Sequence, residues 1–399
     1  MISWKLKNRS VRPIGLDIGH NSIKMIQLAI SGGNISVVAA DEVRFDPNID
    51  SEGEERRNFI VTTIRQMLRE GNFCGRDVVS CLPNGQLKIT SLRLAEGEAG
   101  EIEQFLRKEA AQRFGLDVSL DAIEYLVAGS VQEGDVIKNE LILFATENEK
   151  IRKHIEMLEE AGLQPVAIDT VPCALFRGFE RSLRRQEDRE RTVVFVDVGS
   201  RFTTVVFGCG GEDGGDISFV KQIPIGGGNF NRGIAAKLGI SISEAESLRA
   251  TIRRARFASG GYSGDGTDSD SLDTSTKEAI TDVVVAEAEK LAKEIALCFR
   301  YYTVTFRGKR VERAVLTGGE AYEDILLDIL RRQLPVEVEA AQPLRGFDVT
   351  NAGFDGDGHN LLCEWAVAVG LSFKGWNAAE GQVKEPTEAI IAFRENRQV

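Results

Sequence analysis

Ile14-Gly15-Leu16-Asp17-Ile18-Gly19-His20-Asn21-Ser22-Ile23-Lys24 and Val193-Val194-Phe195-Val196-Asp197-Val198-Gly199-Ser200-Arg201-Phe202-Thr203-Thr204-Val205 are two copies of one pattern. Each reads as an apolar strand, an Asp-x-Gly, a polar turn and a second apolar strand. In such a hairpin the glycine lets the backbone approach a polyphosphate. The turn N–H groups can bond phosphate oxygens, and the Asp can orient metal-bound water. One Asp-x-Gly turn alone is an ordinary hairpin. Two copies 180 positions apart, at Asp17 and Asp197, predict a duplicated domain whose hairpins grip one nucleotide from both sides. A third element supports this reading. Residues 311–316 read as a strand, Thr317-Gly318-Gly319 as a turn, and the following stretch through Leu330 as a helix. A Gly-Gly at that junction lets a flat ring or a sugar lie on bare backbone.

These three elements, in this order, resemble the two phosphate loops and the adenosine loop of the actin-like ATPase superfamily. Within it the chain resembles the PilM family of type IV pilus assembly, which is related to FtsA. Residues 15–28, including Lys24, resemble the opening PilM hairpin. Residues 98–114 resemble the helix that opens the small inserted subdomain. Pro224-Ile225-Gly226-Gly227-Gly228-Asn229-Phe230 resembles the Gly-Gly turn that follows the second hairpin. Glu244-Ala245-Glu246-Ser247-Leu248-Arg249 resembles the family's Glu-Ala-Glu-x-x-Lys helix, and Ala366-Val367-Ala368-Val369-Gly370-Leu371-Ser372 its closing helix. The resemblance runs from about residue 11 to 375. It implies an α/β chain with the actin-like ATPase fold: two duplicated ribonuclease-H-like domains with a small inserted α+β subdomain. The expected first domain is 1–87 with 165–190, the insert 88–164, the second domain 191–375 and the tail 376–399.

Composition excludes several classes. At 399 residues the chain is long enough for two or more cores. A net charge of −12 argues against a nucleic-acid footprint, which needs clustered Lys and Arg. The six cysteines lack metal-like spacing and read as reduced thiols of a cytosolic protein. Three histidines, His20, His154 and His359, leave little for a histidine-based centre. No stretch reaches the roughly 18 apolar residues of a membrane span, and no signal peptide is read before the first strand. The start of the chain is basic, with Lys5, Lys7, Arg9 and Arg12 beside Trp4. It reads either as a solvated terminus or as a weak contact with an anionic membrane face.

Between these landmarks, residues 12–45 read as a meander turning at Gly32-Gly33-Asn34, and 54–70 as a helix with Ile60, Ile64, Met67 and Leu68 on one face. The insert reads strand, helix, strand, strand, helix, and Gly162 ends the last helix. Residues 181–191 form a charged run between the halves. Residues 258–277 are Gly-, Ser- and Asp-rich and are expected to be a mobile loop. Val284, Ala288, Leu291, Ile295, Cys298 and Tyr302 form the core stripe of a long helix.

The resemblance implies a site for ATP and Mg²⁺. Gly19, His20, Asn21, Ser22 and Lys24 would bind phosphate from one side, and Gly199, Ser200, Arg201 and Thr203 from the other. Asp17 and Asp197 would hold a hydrated Mg²⁺. Gly226, Gly227, Gly228, Asn229, Glu246, Arg249, Gly318, Gly319 and Tyr322 would surround ribose and adenine. Glu246 and Arg249 have a second reading, as an exposed ion-pair surface of a helix. Three departures stand out: His20-Asn21 where the family commonly has serines, Arg249 where it often has lysine, and Val171 where an acidic residue often precedes Pro172. Valine cannot activate water, so hydrolysis is expected to be weak or absent, with Asp169 the nearest substitute. No catalytic residue is assigned. The implied function is a cytoplasmic, ATP-binding scaffold, peripheral to the inner membrane. It would dock the N-terminal cytoplasmic segment of a PilN-like inner-membrane protein on residues 88–114 and 140–165. The alternatives are a small-molecule kinase or ATP hydrolase of the same superfamily, or an FtsA-like filament former. The loops at 83–97 and 169–175 offer a kinase no convincing base. The charged tail lacks a strongly amphipathic membrane helix, although self-association stays open.

Overall fold

The computed structural model describes residues 10–45, 53–95, 102–117, 121–133, 135–183, 191–210, 215–259, 273–307, 310–350, 352–354 and 361–375. Most of the basic start, most of the charged run, most of the Gly/Ser/Asp-rich stretch and the tail lie outside these residues; Arg12 is described, and it is buried and donates to Lys374 O at 2.8 Å rather than facing solvent or a membrane. At the ends of the Gly/Ser/Asp-rich stretch, helix runs to Ser259 and begins again at Thr274, and residues 260–272 lie outside the described ones.

By compactness the chain divides into two units. The first holds 1–191, 206–220 and 342–399; the second holds 192–205 and 221–341. The sequence reading ran one second domain from 191 to 375, whereas 342–375 belongs to the first unit.

The first sheet is built from β1 (Ser10–Ile18), β2 (Ser22–Ser31), β3 (Asn34–Arg44), β4 (Asp77–Cys81) and β8 (Gln164–Asp169), in the order β3-β2-β1-β4-β8. The three meander strands pair antiparallel, and β4 and β8 add in parallel. Ile14, Leu16, Ile23 and Met25 bury one face against Ile60, Ile64 and Met67 of α1 (Glu54–Glu70). Helix α3 (Asn148–Glu160) adds Met157 and Leu158 to this core. On α3, the buried His154 ring lies 3.1 Å from Ser80 Oγ, and burial pushes its pKa down to about 4.

The opposite face of the sheet receives α9 (Ala366–Ser372), which also packs on α4 (Val171–Glu180). This approach requires glycine. A Cβ at Gly15 would stand 2.1 Å from Ala368 O, and one at Gly370 would stand 1.7 Å from Ala174 O. Ser372 locks the join by donating to Pro13 O at 2.8 Å. The closing stretch therefore completes the core of the first sheet.

Between β4 and β8 the chain inserts β5 (Lys88–Ala95), α2 (Ile102–Phe114), β6 (Ala122–Glu133) and β7 (Val136–Thr146). Its strands form an antiparallel sheet in the order β5-β7-β6. Leu92, Leu94, Leu141 and Leu143 meet Leu106 and Ala110 of α2.

The second five-stranded sheet comprises β9 (Arg191–Val198), β10 (Thr203–Cys209), β11 (Asp216–Ile223), β12 (Arg310–Thr317) and β13 (Glu337–Ala340), in the order β11-β10-β9-β12-β13. Counted along the chain, both sheets have the order third, second, first, fourth, fifth strand. The repeated turn is thus matched by a repeated topology. Helices α5 (Gly227–Leu238), α6 (Ile242–Ser259), α7 (Thr274–Thr305) and α8 (Asp324–Gln333) complete this half. The apolar stripe of α7 is buried as expected, and Tyr302 on it bonds Thr192 at 2.8 Å.

Candidate functional site

The first turn joins β1 to β2 and is closed by a bond from Gly19 N to Ser22 O at 2.9 Å. Strand register places Asp17 opposite Lys24, and Lys24 opposite Glu42. The three side chains thus form a row across β1, β2 and β3. Buried Lys24 donates to Ser22 Oγ at 2.6 Å and lies 3.3 Å from Glu42 Oε1. Burial raises the pKa of half-buried Asp17; the Lys24 charge opposes that shift and the Glu42 charge adds to it. Among the described residues no hydrogen bond reaches the Asp17 carboxylate. A hydrated divalent cation fits such a group, since bound water supplies the missing donors and the charge restores ionisation. Behind the turn, Arg56 of α1 donates from Nη2 to Gly19 O and His20 O, both at 2.9 Å. Its guanidinium carbon sits 3.8 Å from the Phe45 ring centre, and Phe45 N bonds Asn21 O at 2.9 Å.

The second turn repeats the closure, with Gly199 N bonding Phe202 O at 3.0 Å. Asp197 is half-buried, Arg201 exposed, and Thr203 buried with its hydroxyl donating to Ile225 O at 2.7 Å. The Gly-rich stretch that follows packs on the turn itself. Gly227 N bonds Gly199 O at 2.9 Å, Gly228 N bonds Ser200 O at 2.7 Å, and Gly226 N bonds the Asn229 side chain at 3.1 Å. The Gly227 and Gly228 amides hold the turn, the Gly226 amide caps its own helix, and none of the three is a free donor to a ribose. Gly318 has φ +88°, and a Cβ there would stand 2.5 Å from Val198 O and 2.6 Å from Asp197 Oδ1. A Cβ on Gly319 would meet nothing within 4 Å, which leaves open backbone for a flat group. Asp197, Gly199, Ser200, Gly226, Gly227, Gly228 and Gly318 are therefore brought together.

Arg249 does not stand on an exposed face of its helix. It is 3% exposed, so it is no surface ion pair. It bonds Glu323 Oε2 at 3.0 Å, Asn231 Oδ1 at 3.3 Å and Glu320, and lies 4.5 Å from the Phe230 ring centre. Burial disfavours its charge, yet Glu320 and Glu323 outweigh burial and hold its pKa up. It ties α6 to α5 and to the loop carrying Gly318 and Gly319. Glu246 and Tyr322 are half-buried on the same two segments.

Val171 opens α4 and is buried, with Thr170 as N-cap. Asp169, two residues earlier, is committed elsewhere. It bonds Arg177 at 2.7 Å, lies 3.4 Å from Lys374 and accepts Thr170 N at 2.8 Å. Burial opposes its ionisation, but Arg177 and Lys374 outweigh burial and lower its pKa.

Sequence reading missed Arg56, Glu42, Glu320 and Arg177. Glu42 carries a partial signal, because counting back from the Gly32-Gly33 turn reaches the right strand opposite Lys24. That count arrives at Asp41, and a bulge at Val38 shifts the partner to Glu42. Arg56 lies at an ordinary surface-like position of a helix and gives no signal.

Residues 15–254, more than half of the chain, match the family described as type IV pilus assembly protein PilM. The chain belongs to the PilM family. The structure is similar to that of a PilM-PilN type IV pilus biogenesis complex, with TM-score 0.69 and 23% identity over 91% of this chain and 98% of that one. It is also similar to the ethanolamine utilization protein EutJ from Carboxydothermus hydrogenoformans, with TM-score 0.50 and 14% identity over 91% of this chain and 89% of that one. At these identities the structural likenesses establish the fold, the actin-like ATPase fold also seen in the repeated sheets. Membership of the PilM family places the chain in type IV pilus assembly. Among the described residues no helix is long and apolar enough to cross a membrane.

Proposed function

We propose that this PilM-family chain is an ATP-binding scaffold that docks the N-terminal segment of a PilN-like inner-membrane protein. The observation that carries nucleotide binding is the pair of Asp-x-Gly turns with the same Gly N–H closure. Such repeated phosphate turns suit a polyphosphate, and Asp17 and Asp197 suit a hydrated Mg²⁺. Lys24 supplies the point charge. Partner docking is supported by the similarity to a PilM-PilN complex. The three-stranded insert suits an extended peptide, because β6 ends the sheet and shows Tyr125 and Val127 at 39% and 56% exposure. Contact with the inner membrane is then made through the partner. Hydrolysis is weak or absent, because Val171 carries no proton-transfer group and Asp169 is held by two cations.

The test is calorimetric titration of ATP–Mg²⁺ into the full chain and into Asp197→Ala and Lys24→Ala. Micromolar binding, lost in both variants, is expected. A synthetic PilN N-terminal peptide then binds more tightly with ATP present, because a ligand that favours one conformation shifts the population toward it. Wild-type protein that binds no ATP would sink the nucleotide half of the reading. Peptide binding that ATP does not change would sink the coupling.

A further inference from the structure

Both phosphate turns need their backs held. The carbonyls concerned are those of Gly19 and His20 in the first turn, and of Gly199 and Ser200 at the matching positions of the second. In the second turn, two backbone amides of α5 bond these carbonyls: Gly227 N to Gly199 O at 2.9 Å and Gly228 N to Ser200 O at 2.7 Å. In the first half the corresponding helix, α1, begins at Glu54 and reaches the first turn through the side chain of Arg56. Its two equivalent carbonyls are bonded by Arg56 Nη2, both at 2.9 Å. A guanidinium on α1 therefore does in one half of the molecule what a helix N-terminus does in the other. The two devices share chemistry, since each brings partial or full positive charge and N–H donors to the same carbonyl pair.

We propose that Arg56 is the positioning residue of the first phosphate turn. By fixing the Gly19 and His20 carbonyls, it sets the two peptide planes that follow, and so the direction of the N–H groups of His20 and Asn21. The arginine is itself fixed. Its planar face lies on the Phe45 ring at 3.8 Å, and Phe45 is tied back to the turn through Asn21 O. The arrangement is a closed circuit: α1 to turn, turn to Phe45, and Phe45 to Arg56. It also makes the halves unequal. The second turn is held by backbone, which no side-chain substitution removes. The carbonyls of the first are bonded by a side chain of α1, so their geometry follows the position of that helix. The consequence for ligand affinity rests on the nucleotide-binding reading above; the pinning itself does not.

The experiment uses the full chain and the variants Arg56→Ala, Arg56→Met and Arg56→Lys. Met keeps the aliphatic stem on Phe45 and loses the donors; Lys keeps a cation with donors. Hydrogen exchange is followed at the Gly19 and Phe45 amides, with the Gly227 and Gly228 amides as an internal control. Exchange at Gly19 and Phe45 is expected to rise roughly tenfold or more in Arg56→Ala and Arg56→Met, and to be largely restored in Arg56→Lys. The Gly227 and Gly228 amides should not change. Unchanged exchange at Gly19 in Arg56→Met would overturn the assignment. So would an equal rise at the first turn and at Gly227, because the arginine would then act on global stability. Titration of ATP–Mg²⁺ follows, with affinity expected to fall roughly tenfold in Arg56→Met and to recover in Arg56→Lys. A wild-type chain that binds no ATP would remove the nucleotide reading, while the exchange result would still decide the pinning.

Discussion

Asp169 stands two residues before Val171, and its surroundings decide whether it can orient a water. Arg177, Lys374 and Thr170 N already occupy its oxygens. A carboxylate so held keeps its charge but has little lone-pair capacity left for water. Asp169→Asn should therefore act on stability, because it leaves two cations against a neutral amide. Removing one partner of a buried pair costs about 3 kcal/mol or more. Thermal melting should show this loss, and ATP turnover should stay at its wild-type level. Loss of turnover at unchanged melting temperature would make Asp169 a catalytic group instead. Gly318 yields a second prediction at this scale. Its φ of +88° disfavours any other residue, and a Cβ would press on Val198 O and Asp197 Oδ1. Gly318→Ala should cost about 3 kcal/mol and displace the Asp197 carboxylate. ATP–Mg²⁺ affinity falling together with stability is the expected readout. A melting temperature within a degree of wild type would contradict the close approach.

At the scale of elements, α9 is the informative case. It is short, apolar throughout and wedged between β1 and α4. Gly370 touches the Ala174 carbonyl so closely that a methyl group has no room, and α9 cannot slide without lifting Ala368 and Val369 out of the core. Gly370→Ala should cost about 3 kcal/mol by denaturant titration, with the loss concentrated in the first sheet. Gly346→Ala, at a positive φ but with open space around it, should cost less. The helix was legible in sequence as an apolar stretch, but its address was not. An all-apolar helix has no polar face to say which sheet it covers, so sequence order assigned it to the neighbouring half. Strands and turns were more legible, because Asp-x-Gly and Gly-Gly signals and period-two burial fix hairpins locally. The contacts that organise the site were the least legible. Arg249 to Glu320 and Arg56 to Gly19 join residues 71 and 37 positions apart, and no local pattern specifies such pairs. The Lys24–Glu42 pair hinges on one bulge that no residue type announces.

For the whole molecule, the repeated sheet order shows that duplication preserved topology, while the titrating groups diverged between the halves. All three histidines fall in the segments of the first unit, and the second unit has none. His154 is held neutral by burial, with its pKa near 4 against an ordinary 6.5. Below 6.5 the unfolded chain takes up a proton that the folded first unit refuses until about pH 4. Stability is thus fully present above that window and is lost as pH falls through it, by about 3 kcal/mol in total. The second unit depends instead on Glu320. Burial opposes its ionisation, but Arg249 and Arg253 outweigh burial and lower its pKa. Its contribution is present above the ordinary carboxylate pKa and is lost only as pH falls through the depressed folded value. Asp169 adds a similar late loss to the first unit. The halves should therefore weaken in order. Hydrogen-exchange protection, corrected for intrinsic rates, should fall in the first unit between pH 6.5 and 4 while the second unit keeps its protection. His154→Gln preserves a partner for Ser80 without titrating, and it should flatten this slope in the first unit. Both units losing protection together above pH 4, or a His154→Gln slope equal to wild type, would show that buried His154 does not set the acid response.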